Sequence, residues 1–382
     1  MRRLILAILV ISVVVLGACA APSAPPVETP TPTPPPTPIG PETVTFPDQN
    51  LDAAIREALG KPLGEEITAA ELAKLTTLCA GNRGIADISC LQYCTSLTEL
   101  ALSGNPISDI STLSSLTNLT SLSLSGVQIS DISPLSSLTN LTELHIYRNQ
   151  IVDLSPLSSL TNLTTIDLRH NQINDISSLS PLTNLTALYL GENQISDIST
   201  LSPLTNLTWL DLDRNQISDI SLLSSLTNLT ELSLIGSQIS DISPLSPLTN
   251  LNVLFLHENQ ISDISPLSSL TNLTMLYLDG NQISDISPLS PLTNLIWLSL
   301  SWNQISDISL LSSFTNLMWL DLSGNQIGNI SPLLENHGLG TGDMVWLKDN
   351  NLDLWEGSED MENIRALEDR GVVVELHDEP TR

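Results

Sequence analysis

The chain has 382 residues, with 42 acidic residues against 13 lysines and arginines, for a formal net charge of −29. That balance excludes nucleic acid as a partner, because a phosphate backbone would meet charge of its own sign. At 41% hydrophobic but only 3% aromatic composition, there is ample material for a core and few rings, so where the rings stand carries information.

Residues 1–18 open with Arg2 and Arg3, continue in an apolar run over 4–16, and end Leu16-Gly17-Ala18 before Cys19. The run is too short to span a bilayer and reads as a secretory signal. Its ending resembles a bacterial lipobox, which implies that Cys19 becomes the lipidated first residue of the mature protein; an ordinary signal peptide cut nearby is the alternative. A lipid tethers a protein to a membrane without crossing it. Residues 19–41 are rich in proline and threonine and have nothing to bury. They read as a polyproline II spacer that lifts the folded part off the surface. Residues 42–74 form a helical N-terminal cap. Leu51, Ala54, Ile55, Ala58 and Leu59 make one apolar helix face ended by Gly60 and Pro62, and a second helix is expected at about 69–74.

From 75 to 333 a 22-residue unit repeats. Its heads are Cys94, Leu116, Leu138 and every twenty-second residue to Phe314, with a weaker copy before them and a degenerate one after (Val345, Leu347, Asn350, Leu352). A period in this range containing L-x-x-L-x-L-x-x-N is the signature of a leucine-rich repeat. The expected fold is an α/β solenoid, a horseshoe with a parallel concave sheet and short 3-10 or turn segments on the convex side. In the copy at 138, Leu144 and Ile146 alternate as a short strand does. The remaining apolar residues (Leu138, Leu141, Ile151, Leu154, Leu157) recur at spacings that suit turns better than a long helix. Burying seven such side chains yields roughly 1.5–3 kcal/mol each, while ordering 22 residues costs about 1.5 kcal/mol per residue. One copy cannot fold alone, and stacked copies can.

Asn149 and its equivalents should turn inward and satisfy backbone groups as a buried amide ladder. Val127 and Ser237 interrupt it, and unpaired backbone groups should loosen the coil around Val127 by roughly 1–3 kcal/mol. The Ser-Pro pairs at Ser133, Ser155 and Ser265 suggest helical turns capped by the serine. Asp87 and every twenty-second residue to Asp307 form a carboxylate row. It reads as a solvated edge capping local backbone, with a divalent-cation row as the alternative. Cys90 and Cys94 read as free thiols rather than a local bridge, and the N-L-T triplets belong to the repeat consensus. Residues 334–382 form a C-terminal cap with a helix over MENIRALEDRG.

The cap sequence F-P-D-x-x-L-x-x-A-I-R-E-A-L-G-K, leading into LTNLTxLxLxxNQISDISPL coils over residues 44–333, resembles the internalin-type bacterial leucine-rich repeat family. That resemblance implies a binding module that takes protein ligands on the concave sheet. No Ig-like domain follows the repeats and no cell-wall sorting signal is seen, so host invasion does not carry over, and neither do the family's contact residues.

What varies from coil to coil should carry function. Each strand is expected to present four outward positions, such as Glu143, His145, Tyr147 and Arg148. Chance would place about one or two of the chain's six tryptophans, four tyrosines and three phenylalanines in these columns. Eight stand there: Tyr147, Tyr189, Trp209, Phe255, Tyr277, Trp297, Trp302 and Trp319. Rings on a rigid face mark an interaction site, and tryptophan, tyrosine and arginine dominate binding energy. Arg169 and Asp211 head the polar candidates beside them, with His170, Asp213, Arg214 and His257. The reading is therefore a monomeric, extracytoplasmic, lipid-anchored module binding a protein outside the cell, with glycan as the alternative ligand. No cofactor or metal is called for. Catalysis is not expected, since His145 and Asp167 are the only suggestive pair and no nucleophile accompanies them.

Overall fold

A computed structural model describes residues 42–376; the leader, Cys19 and the proline-rich spacer lie outside the described residues. The chain divides into two units, Met1–Asn149 and Gln150–Arg382. In the first, helix α1 (Gln49–Leu59) buries Leu51, Ala54 and Ile55, and Gly60 ends it at φ 67 in the left-handed region. Ala58 and Leu59 are only half-buried. Asp48 caps the helix: its Oδ1 accepts from the amides of Asn50 and Leu51 at 2.9 and 3.0 Å. Its Oδ2 accepts from Ala86 at 2.7 Å, so one carboxylate fixes the helix start and ties it to the first coil. Helix α2 (Ala69–Leu72) is shorter than the sequence suggests and starts in a capping box between Thr68 and Glu71.

Four strands follow in this unit, β1 (Thr77–Cys79), β2 (Glu99–Ala101), β3 (Ser121–Ser123) and β4 (Glu143–His145). Each pairs in parallel with the next, one repeat apart, as in Glu99 with Ser121 and Ser121 with Glu143. The second unit continues the pattern with ten parallel strands in chain order: β5 (Thr165–Asp167), β6 (Ala187–Tyr189), β7 (Trp209–Asp211), β8 (Glu231–Ser233), β9 (Val253–Phe255), β10 (Met275–Tyr277), β11 (Trp297–Ser299), β12 (Trp319–Asp321), β13 (Met344–Trp346) and β14 (Val373–Glu375). Helices α3 (Ser331–Glu335) and α4 (Glu359–Asp369) lie between the last strands in sequence. The middle residue of each repeat strand is a leucine or isoleucine of the core, essentially without exposure. Cys90 and Cys94 are buried free thiols, and burial pushes both up to about 12. No helix among the described residues is long and apolar enough to cross a membrane.

Short 3-10 turns close each coil, Ser133–Ser137 and Ser265–Ser269 among them. Their serines are not the caps. The capping position is an isoleucine, Ile132 or Ile264, with no side-chain bond. The bond comes instead from the aspartate row: Asp131 Oδ1 accepts from the Ser133 amide, and Asp263 Oδ1 from Ser265, both at 2.8 Å. A carboxylate reaches its own backbone two residues on more readily than a serine hydroxyl does. These bonds hold carboxyls such as Asp109 and Asp263 below the usual range. The N-L-T asparagines are also structural, as in Asn206 Nδ2 donating to the Thr183 carbonyl of the preceding coil at 2.9 Å.

The inward asparagines bridge coils. Asn105 Oδ1 accepts from the amides of Arg83 and Ile85 at 3.0 Å each, and Nδ2 donates to Ala80 and Leu102 carbonyls at 2.8 and 2.7 Å. Val127 offers no such bond and is fully buried. At Ser237 the buried hydroxyl has no partner. Ser237→Asn should therefore supply an acceptor for Ile217 N–H, as Asn259 does for Ile239 at 3.2 Å. It is expected to stabilise the fold by about 1–3 kcal/mol. Urea unfolding would register this as a higher midpoint at unchanged slope, and a lower midpoint would contradict the ladder's role.

The strands are three residues long, so of the four expected outward columns only the first two are on them, and the third and fourth, such as Tyr147 and Arg148, lie beyond the strand end. Arg148, His170, Glu192, Arg214, Glu258 and Trp302 sit beyond the strand ends in the left-handed region, at φ between 47 and 59. The chain must turn there to send the next residue, the asparagine, inward. Gly280 and Gly324 hold the same position in other coils.

Candidate binding face

Because side chains alternate along a strand, the residues flanking each buried leucine leave on the opposite face. On the second unit's sheet this open face carries most of the candidate residues, in two groups. The first is built on β5–β7. Arg169 forms a bidentate pair with Asp167, Nε to Oδ1 at 3.0 Å and Nη2 to Oδ2 at 2.7 Å. Its guanidinium also lies 5.0 Å from the Tyr189 ring centroid. The Asp167 bond raises the affinity of Arg169 for its proton. Tyr189 and Trp209 follow, with ring centroids 5.7 Å apart.

The second group is larger. Phe255 and Tyr277 stack at 4.9 Å, Trp297 and Trp319 at 5.2 Å with planes 10° apart, and Tyr277 reaches Trp319 at 6.2 Å. Trp346 of β13 extends the group, 4.7 Å from Trp319. It is missing from the sequence-derived candidates, although its alternation between Val345 and Leu347 marks it as outward. All of these rings are half-buried, each shielded by its neighbours along the ladder. Trp302 stands apart on the turn edge. It is 59% exposed, and its ring lies so close over Gly324 that a Cβ there would come within 2.7 Å of it. Tyr147 belongs to the first unit, half-buried just past β4. His170 and Arg214 pair with Glu192, at 2.7 and 3.6 Å. Cys19 lies outside the described residues.

Carboxylates occupy the spaces between rings. Asp213 accepts from Ser233 Oγ at 2.5 Å and from the Ile235 amide at 2.9 Å, and Asp279 accepts from the hydroxyls of Ser299 and Ser301. Asp211, only 7% exposed, accepts from the Asp213 amide at 3.0 Å. Burial, and then the neighbouring Asp213 charge, pushes its carboxyl up to about 7. Burial also raises Glu231 and Asp321 and lowers His257, which favours the neutral imidazole.

The raised Asp211 carboxyl has a defined consequence for stability. An unfolded aspartate ionises near 3.8, whereas the folded one keeps its proton to about 7. Folding takes up a proton between those values, so stability falls as pH rises from about 4 to about 7 and is flat above. Asp211→Asn keeps the acceptor and removes the charge. It should stabilise the protein by roughly 2–4 kcal/mol at pH 8 and match the wild type below pH 4. Thermal melts across that range check this, and a variant less stable at pH 8 would contradict it.

Leucine-rich repeat family models match residues 73–115, 117–159, 205–247 and 249–291 as paired copies, 139–195 and 161–217 as a second such model, and 316–337 as a single repeat. A crystal structure of an internalin from Listeria monocytogenes is 37% identical, with a TM-score of 0.81 over 87% of this chain and 96% of that one. A leucine-rich repeat protein of Leptospira interrogans shares the fold at 24% identity and a TM-score of 0.65, over 76% of this chain and 81% of its own. A plant peptide hormone receptor solved in complex does so at 21% and 0.55, over 75% and 57%. No curated protein sequence matches.

Proposed function

Since the chain belongs to the internalin-type family of bacterial leucine-rich repeat proteins, we propose that it is an extracytoplasmic binding module that takes a protein ligand on the aromatic face of β6–β13. Lipid on Cys19 and the spacer over 19–41 would hold that face outside the cell, on a monomeric chain. The observation that carries the choice of ligand is the stacking of Trp297 on Trp319, planes 10° apart and centroids 5.2 Å apart. Sugars bind aromatic residues by lying on a ring face. Here the facing surfaces are spent on one another, as they are between Phe255 and Tyr277, which leaves less ring face for a sugar. Half-buried rings, sulfurs such as Met275, and interleaved carboxylates suit the mixed side chains of a protein. The module binds without turnover, since Asp167, the acid of the one suggestive catalytic pair, is committed to Arg169.

One observation favours glycan as a second reading. Trp302 lies with one ring face over Gly324 and is 59% exposed, so its other face is free for stacking. The readings separate in one experiment: the full chain is used to capture proteins from the exterior of neighbouring or host cells and is screened on a glycan array. Protein capture that survives Trp302→Ala but not Trp297→Ala/Trp319→Ala supports the first. Array binding abolished by Trp302→Ala, without protein capture, would replace it with the second.

A further inference from the structure

Between the two ring groups the open face is anionic and short of cations. Its first three outward columns, on and just past β5–β12, carry six carboxylates, including Asp211, Asp213 and Glu231, against two basic side chains, Arg169 and His257. Arg169 is committed to Asp167. Glu231 differs from the other acids. Asp213 and Asp279 are bonded to hydroxyls, whereas the Glu231 side chain has no hydrogen bond or ion pair among the described residues. It is half-buried, and burial alone accounts for its altered acidity. In register it stands directly beside Trp209, with Val253 on its other side. One coil before Trp209, and two before Glu231, Gly191 leaves a notch: a Cβ there would lie 2.8 Å from Asp211 Oδ1, so the carboxylate leans into space that any other residue would fill.

A half-buried indole, an unpaired desolvated carboxylate next to it and a second carboxylate in a notch are complementary to a cationic side chain flanked by apolar ones. A guanidinium stacks on an indole and pairs with a carboxylate at once. Building on the protein-ligand reading above, we propose that the ligand presents arginine or lysine among apolar residues, and that one such side chain docks between Trp209 and Glu231, within reach of Asp211. The aromatic groups on either side would supply apolar anchors, and the cation would set position and specificity. Ligation would also relieve the cost of keeping Glu231 ionised without a partner.

Calorimetry of the full chain at about 0.15 M salt tests this with a peptide of repeating arginine, tyrosine and glycine and its glutamine-for-arginine analogue. The arginine peptide should bind and the analogue should bind at least tenfold more weakly. Glu231→Gln should cost about tenfold, corresponding to about 1.4 kcal/mol, with the melting temperature unchanged or raised. Asp263→Asn, which removes the same charge from the solvated row, should change affinity less than twofold. Equal losses in Glu231→Gln and Asp263→Asn would reduce the effect to bulk charge and overturn the proposal. So would an unchanged affinity in Glu231→Gln, or no binding of the arginine peptide. If both peptides bind equally and Trp297→Ala/Trp319→Ala abolishes both, the cation inference falls while the aromatic protein-binding face stands. If that double variant binds both peptides unchanged, the face itself is wrong.

Discussion

Trp297→Ala combined with Trp319→Ala is expected to weaken binding of the captured protein ligand at least a hundredfold. Central tryptophans of an interface commonly cost 2 kcal/mol or more each when truncated, and two such losses correspond to about a thousandfold. Their coupling reduces this. The rings stack at 5.2 Å, and Trp319 also touches Tyr277 and Trp346, so removing one already disorders the surface presented by the other. The loss should appear mainly in the dissociation rate, since no charge that steers approach is changed. Folding should survive. The leucines that face inward from the same strands, Leu298 and Leu320, are fully buried and untouched, and losing the stack costs only about 0.5–1.5 kcal/mol. Trp355 provides the control: it is 82% exposed on the loop before α4 and belongs to no strand, so Trp355→Ala should leave affinity alone. Equal effects from the control and the double variant would remove the face from consideration.

The sequence makes this face legible to the extent that a strict period assigns every letter to a column. Leu144 and Ile146 identify the inward side, and the rings on either side of such pairs follow without further information. What the period cannot reveal is where the strand stops. Trp302 counts as one more outward strand residue by spacing, but the backbone has already entered the left-handed turn at φ 55, a conformation that carries no reliable mark when the residue is not glycine. Trp346 escapes for a different reason. Trp319 pairs with Met344 rather than with the residue 22 places on, so an insertion shifts the last coil out of the count. The stacking angles on which the proposed choice of a protein over a sugar rests belong to side-chain packing and are absent from any pattern of letters. The capping role of the aspartate row, by contrast, follows from composition and position alone; that the aspartate two residues before each turn serine takes that serine's amide, while the serine is not itself the cap, is a matter of three-dimensional geometry.

Asn281→Leu should destabilise the protein by roughly 3–5 kcal/mol, more than truncating any single ring. The amide is 8% exposed and makes four bonds that no apolar residue can replace. Oδ1 accepts from the Ile261 amide at 3.0 Å, and Nδ2 donates to the carbonyls of Leu256 and Leu278 at 3.0 Å and of Asp279 at 3.3 Å. Leucine fills similar volume, so the cost is that of stranded backbone groups rather than of a cavity. Val127 and Ser237 show that a coil persists without the amide, which places the loss within what the stack tolerates. Each coil contacts only its neighbours, so the weakness should stay local. Hydrogen exchange at Ile261 and in the adjoining coils should accelerate, while amides near Ile173 keep their protection. The candidate face would feel it as well, because Tyr277, four residues before Asn281, ends the strand that leads into this turn. A loss below about 1 kcal/mol, or exchange accelerated evenly over all coils, would mean that the leucine columns alone hold the stack and the asparagine is dispensable.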